Sequence, residues 1–215
     1  MHEIRTTCGL VIASKTYGDA GKILFIFTKD LGLVMASAQG IRLEKSKLRP
    51  FVQNYSFGEF SFVRGREFWR LTDACEIVAP ETEQAGFCEQ HSPIAQKPAC
   101  SVSGDSLELV AKIAALLKQF LHGEEAHPEL FDCVLECNKF LENCEQPELN
   151  AERLSTLESL TVARILRLLG YIGDSAEFGD RLKSCEINTE LLDVLVPKRV
   201  LLNKHINKAI KESHL

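Results

Sequence analysis

The chain has 215 residues, 45% of them hydrophobic and 26% charged, with a formal net charge of −5. This is the composition of a globular protein with enough length for one large core or two modest ones. No uncharged apolar run approaches the roughly 18 residues of a membrane-spanning helix, and Met1-His-Glu-Ile-Arg5 lacks the pattern of a secretory signal, so a cytoplasmic protein without membrane contact is expected.

The first eighty residues alternate β-rich runs with turn residues. Thr7 to Thr16 is a predicted strand, ended by Tyr17-Gly18-Asp19-Ala20-Gly21. Lys22 to Thr28 and Leu33 to Ala38 follow, separated by Lys29-Asp30-Leu31-Gly32. Ser56 to Val63 and Glu67 to Val78 make the fourth and fifth, joined by Arg64-Gly65-Arg66. Five short strands with Gly-containing turns predict a small barrel or sandwich. In the fourth, Phe60 and Phe62 share one face and Glu59 and Ser61 the other, the period of a half-buried strand.

Between the third and fourth runs lies a basic segment, Gly40-Ile-Arg-Leu-Glu-Lys-Ser-Lys-Leu-Arg-Pro50. Arg42, Lys45, Lys47 and Arg49 fall within eight positions, opposed by Glu44 alone. A flexible cationic loop of this kind can track a phosphate backbone, because long Lys and Arg side chains displace condensed counterions. Arg64 and Arg66 at the hairpin and Arg70 beyond it add charge, and Phe68 and Trp69 beside them offer faces on which an unpaired base could stack. Taken alone, the loop is more simply a solvated charged loop and Trp69 a plug of the barrel. Loop, hairpin and aromatics together favour nucleic acid.

Charge is unevenly spread. Residues 1–80 carry a net of +3, residues 81–152 a net of −10, and residues 153–215 a net of +2. Phosphate binding follows the local field rather than the whole-chain charge, so the acidic middle must face away from nucleic acid or meet another partner.

Residues 81–104, with Pro93, Pro98 and Gly104 and little periodicity, read as a linker or long surface loop. Residues 105–215 read as helical. Predicted helices run from Ser106 to His122, from Leu130 to Cys144 and from Ala151 to Leu169, with shorter ones over Thr189 to Val196 and Lys198 to Lys211. Amphipathic helices joined by short loops make a bundle, so the expected class is α+β, a β-barrel domain followed by an all-α helical domain.

Chemistry-bearing motifs are scarce. The eight cysteines read as buried reduced thiols; Cys133 and Cys137 lie four apart on one helix face beside Leu130, Val134 and Leu141. Cys88 and His91 have the gap of a zinc half-site and Cys100 follows, but a fourth ligand is missing, so neither metal nor cofactor is expected. There is no phosphate loop, no nucleophile elbow and no His-Glu-x-x-His. Lys45-Ser46-Lys47 has no partner general base, and acidic clusters such as Glu124-Glu125 are solvated helix ends. A hydrolase or nuclease would need a carboxylate cluster that the sequence lacks, so an enzyme is not expected.

Thr7 to Gly32 resembles the opening of the bacterial recombination-mediator family RecO, in the Tyr17-Gly18 turn, the Lys22-Ile-Leu24 strand entry, Phe27-Thr28 and Leu31-Gly32. The likeness continues through Gly40, Lys45-Ser46, Leu48, Pro50-Phe51 and the arginine hairpin before Leu71-Thr72, with a fainter echo in Arg167-Leu-Leu-Gly-Tyr171. The resemblance implies an N-terminal OB-fold over residues 1–80. It also implies binding of single- and double-stranded DNA, annealing of complementary strands, and work with RecR and RecF that helps RecA displace single-stranded-DNA-binding protein (SSB). On these positions the implied DNA contacts are Lys22, Arg42, Lys45, Lys47, Arg49, Arg64, Arg66 and Arg70, to which the stacking reading adds Phe68 and Trp69. The zinc module that many such proteins insert after the Gly-Tyr helix end is missing, since residues 172–187 hold only Cys185. A RecO-like helical domain is also expected to dock the acidic, apolar tail of SSB through an apolar groove and a cation. Arg153, Arg164, Arg167, Lys198 and Arg199 are available for this, with Arg164 and Arg167 the two chosen candidates. The alternative reading is a protein-protein adaptor whose DNA contact is incidental.

Overall fold

The β-rich runs between Gly-containing turns fold, in the computed structural model, which describes residues 3–77, 104–144, 149–173 and 177–212, into a closed barrel. The strands are β1 (Ile4–Tyr17), β2 (Gly21–Thr28), β3 (Gly32–Ala38), β4 (Phe57–Arg64) and β5 (Trp69–Cys75), in the spatial order β1-β2-β3-β5-β4. All neighbours are antiparallel except β3 and β5, whose short parallel pairing (Ala36 with Trp69, Ser37 with Arg70) shuts the cylinder. This is the OB-fold arrangement, a five-stranded Greek-key barrel, here closed by the β3–β5 pairing.

The inward face reads directly from the period of two. Leu24 and Ile26, Val34 and Ala36, Phe60 and Phe62, and Trp69 and Leu71 all lie in one buried cluster. β1 is the longest strand because its two neighbours pair with successive halves of it: Ile4 to Leu10 with β4, and Gly9 to Tyr17 with β2. A bulge between Val11 and Ala13 bends it from one partner to the other. At the bend the packing requires glycine, for a Cβ on Gly9 would lie 2.7 Å from Cγ2 of Ile26.

The basic segment is not the flexible loop expected from its charge. Residues 39–56 form a chain of tight turns, with backbone hydrogen bonds from Leu43 to Gly40, Ser46 to Leu43, Arg49 to Ser46 and Phe51 to Leu48. Ile41 and Val52 are buried in the barrel cluster, and Leu48 and Phe51 pack against it. The segment's far end is tied to β1, where Tyr55 N–H donates to the Val11 carbonyl and Val11 N–H to the Ser56 carbonyl. Apolar residues spaced among the cations hold the segment against the barrel.

The chain divides into two compact units, Met1–Ser101 and Val102–Leu215. The second contains α1 (Gly104–Phe120), α2 (Pro128–Asn143), α3 (Ala151–Leu168), α4 (Gly179–Lys183), α5 (Thr189–Leu195), a single 3-10 turn (Val196–Lys198) and α6 (Arg199–Glu212). Helix α3 is the hub, contacting each of the other five helices. It starts at Asn150, whose side chain accepts from Arg153 N–H, and stops at Gly170, whose φ of +82° suits a C-terminal glycine. The five-residue α4 is absent from the sequence expectations, being too short to show a helical period. Most of the proposed linker 81–104, with Cys88, His91 and Cys100, lies outside the described residues.

Candidate nucleic-acid interface

Strand register decides which cations meet. The β1–β2 turn spans Tyr17 to Gly21, β3 ends at Ala38 opposite Lys22, and β5 starts at Trp69 opposite Ala36. One end of the barrel therefore gathers the β1–β2 turn, the start of the basic segment and the β4–β5 hairpin. Four contacts fix the grouping. Arg42 donates its backbone N–H to the Ala20 carbonyl and its Nη1 to the Asp19 carbonyl at 3.1 Å. Tyr17 and Phe68 meet edge to face with ring centroids 6.2 Å apart. Ser37 Oγ donates to the Trp69 carbonyl at 3.2 Å. In OB-folds, these two loops and the face of the second and third strands hold oligonucleotides.

Gly65 makes the hairpin tight enough to reach this position. A Cβ there would run into the carbonyl oxygen of Phe68, so any other residue forces the hairpin open. Arg64, Arg66 and Arg70 are exposed. Arg64 lies over the Trp69 ring, 4.7 Å from its centroid, a cation–π contact that orients the guanidinium. Lys22 is half-buried near the start of β2, opposite Ala38, and shares strand parity with Leu24 and Ile26. Lys45, Lys47 and Arg49 lie farther along the basic segment, all exposed, outside its apolar anchors.

The two aromatic candidates part company. Phe68 is half-buried and pairs with Tyr17. Trp69 is only 8% exposed and packs edge to face on Phe62 in the barrel cluster. Its stacking role is corrected: the ring is core, because it shares the inward parity of Leu71, and no base can reach its face. Tyr17, 53% exposed, takes the vacated place as a surface aromatic. Sequence reasoning passed over it, although an aromatic immediately before a Gly-Asp turn is a signal for an exposed ring.

A second correction concerns the helical unit. Arg164 is 1% exposed and cannot receive a partner's carboxylate. Its guanidinium donates to backbone carbonyls, from Nε and Nη2 to Arg181, from Nη1 to Cys185 and from Nη2 to Glu186, at 2.9–3.2 Å. Burial pushes it below the ordinary arginine value. Arg164 therefore fastens the chain between α4 and α5 to the hub helix. Arg153 forms a two-pronged pair with Asp193 at 2.7 and 2.8 Å. Arg167, half-buried in the last turn of α3, keeps its place as a candidate. Among the described residues no group of three or more His, Cys, Asp or Glu could hold a metal ion, and no helix is long and apolar enough to cross a membrane.

Residues 1–80 match the family model described as Recombination protein O N terminal. The chain is 26% identical over 180 residues to a DNA repair protein RecO of Desulfitobacterium hafniense, covering 81% of this chain and 56% of that protein. It is 28% identical over 151 residues to the DNA repair protein RecO of Dehalococcoides mccartyi, covering 69% and 51%. A RecO of Rubrobacter xylanophilus is 39% identical over 66 residues, 31% of this chain and 27% of that protein. The chain thus spans about half the length of the longer-matching curated relatives.

Proposed function

We propose that this chain, whose first 80 residues match the family model of the recombination protein O N terminus, is a DNA-binding and strand-annealing mediator of recombinational repair. The observation that carries the reading is the convergence at one barrel end of Tyr17, Lys22, Arg42, Arg64, Arg66, Phe68 and Arg70, with Lys45, Lys47 and Arg49 exposed on the adjoining segment.

The physical work is electrostatic. Two strands approaching each other repel through their phosphates, and a surface that neutralises both lowers the barrier to pairing. Arginines and lysines mounted on short turns over a rigid barrel supply that field without sequence preference. The Tyr17–Phe68 pair supplies a platform for bases that are still unpaired, so single strands are held open for pairing. No covalent bond of the DNA changes, and the reading is non-enzymatic.

In this reading the helical unit supplies protein contacts: with RecR, with the acidic tail of SSB through a cation such as Arg167, and indirectly with RecF and RecA. The outcome is RecA loading onto SSB-coated single strands. The test is annealing of complementary oligonucleotides by the purified chain at about 0.1 M salt, where phosphate contacts still contribute strongly. A rate above the spontaneous one supports the mediator. No DNA binding without a partner protein would replace it with the adaptor reading, in which the acidic residues 81–152 govern assembly.

A further inference from the structure

One leucine of the basic segment has no place in the barrel. Ile41 and Val52 are buried in the core cluster and Leu48 packs against it, yet Leu43 is 58% exposed. A single exposed leucine is ordinary on a protein surface. Two features set this one apart. First, its backbone is fixed on both sides. Leu43 N–H donates to the Gly40 carbonyl and its own carbonyl accepts from Ser46 N–H, both at 3.1 Å. Gly40 has a φ of +67°, a conformation that favours glycine, and so sets the turn that carries Leu43. Arg42 beside it is tied to the β1–β2 turn through the Ala20 and Asp19 carbonyls. A ligand that covers Leu43 therefore orders little backbone in doing so.

Second, its surroundings are cationic. Arg42, Lys45 and Lys47 are exposed within four positions of it, opposed by Glu44 alone. A polyanion that also offers a flat apolar face matches this pattern, with phosphates for the cations and the open face of a base for the leucine. A single leucine buries too little to hold a membrane surface. It is large enough to cover part of one base pair.

We propose that Leu43 is a wedge that seats against the last base pair where duplex gives way to single strand, so that the chain holds such a junction in preference to a single strand. The inference rests on the DNA-binding reading of the barrel and adds a structural preference to it.

Along a continuous duplex each base face is covered by its neighbour, and opening a step for an apolar side chain costs stacking energy. At a junction the last pair is covered only by an unpaired base, which a leucine displaces at less cost. Arg42, Lys45 and Lys47 then hold the phosphates on either side. Every newly paired stretch ends in such a junction, so holding it keeps two strands together while pairing extends. No bond of the DNA changes.

The test measures the affinity of the full chain for a duplex with a single-stranded arm and for the arm sequence alone. Fluorescence anisotropy at about 0.1 M salt reads both, in wild type, Leu43→Ser and Leu43→Met. Because Leu43 is exposed, its replacement leaves the barrel core intact. In Leu43→Ser the ratio of junction to single-strand affinity should fall about tenfold, the order expected for taking a leucine side chain about half out of water. Single-strand affinity itself should stay within about twofold of wild type, since the cations are unchanged. The higher charge density of the duplex acts on both proteins alike and cancels in the comparison. Leu43→Met keeps an apolar side chain of similar size and should retain the wild-type ratio. 2-Aminopurine in the last base pair should brighten with wild type and not with Leu43→Ser, because leucine replaces the neighbouring base that quenches it. An unchanged ratio in Leu43→Ser, or an equal loss for both DNAs, overturns the wedge and leaves the DNA-binding reading standing. Binding of neither DNA by wild type overturns both.

Discussion

Replacing Lys45, Lys47 and Arg49 together by Ala removes three charges from the basic segment and leaves its fold. All three side chains are exposed, whereas the anchors Ile41, Leu48, Phe51 and Val52 are untouched. The hydrogen bonds at Arg49 survive as well, because its N–H donates to the Ser46 carbonyl and its carbonyl accepts from Gln53 Nε2 through the backbone. Stability should therefore stay within about 0.5 kcal/mol of wild type. Each phosphate contact contributes about 0.7 to the slope of log affinity against log salt for a single strand, so three lost contacts make the slope shallower by about 2. Over a fourfold rise in salt, from about 50 to about 200 mM, the variant should lose about 20-fold less affinity than wild type. Fluorescence anisotropy with a labelled single-stranded oligonucleotide, titrated at several salt concentrations, reads both quantities. A folded variant with the wild-type slope and affinity refutes the assignment of the segment to DNA.

Other perturbations separate surface from core. Phe68→Ala or Tyr17→Ala should weaken single-strand binding by about 1–3 kcal/mol while leaving the salt slope unchanged, since stacking releases no counterions. Trp69→Ala should instead cost about 3–5 kcal/mol of stability in a denaturant titration, because it empties a position in the barrel core; a folded variant with only a binding defect would return Trp69 to the surface. Arg164→Met leaves the carbonyls of Arg181, Cys185 and Glu186 without a donor at about 1–3 kcal/mol each, so a total loss of about 3 kcal/mol or more is expected. An unchanged urea midpoint for Arg164→Met would contradict its role as a fastener.

Much of the barrel was legible because β-rich runs lie between glycine-containing turns, and in the fourth of them Phe60 and Phe62 face inward as their alternation requires. The buried thiols Cys133 and Cys137 were legible from helical spacing. Arg164 was not, and its case is instructive. It sits seven residues after Leu157 on the stripe that Leu160 shares, so spacing placed it inside while its charge suggested the surface. What satisfies it, the carbonyls of Arg181 in the short α4 and of Cys185 and Glu186 beyond it, lies where no sequence pattern identifies a partner. Trp69 carried a similar conflict, settled by its parity with Leu71. The meeting of Tyr17 with Phe68 depends on the parallel β3–β5 closure, a pairing between distant segments that local sequence does not encode. The anchoring of the basic segment was written in Ile41, Leu48, Phe51 and Val52, but the cations between them concealed it.

Photo-crosslinking tests the central claim most directly. A single-stranded oligonucleotide carrying 5-iodouracil, bound to the full chain and irradiated, reports the side chains that touch its bases. The account predicts adducts on Tyr17 and Phe68, with further modified peptides from residues 40–50 and 64–70. Adducts confined to the helices of residues 104–212, with the barrel unmodified, would contradict it.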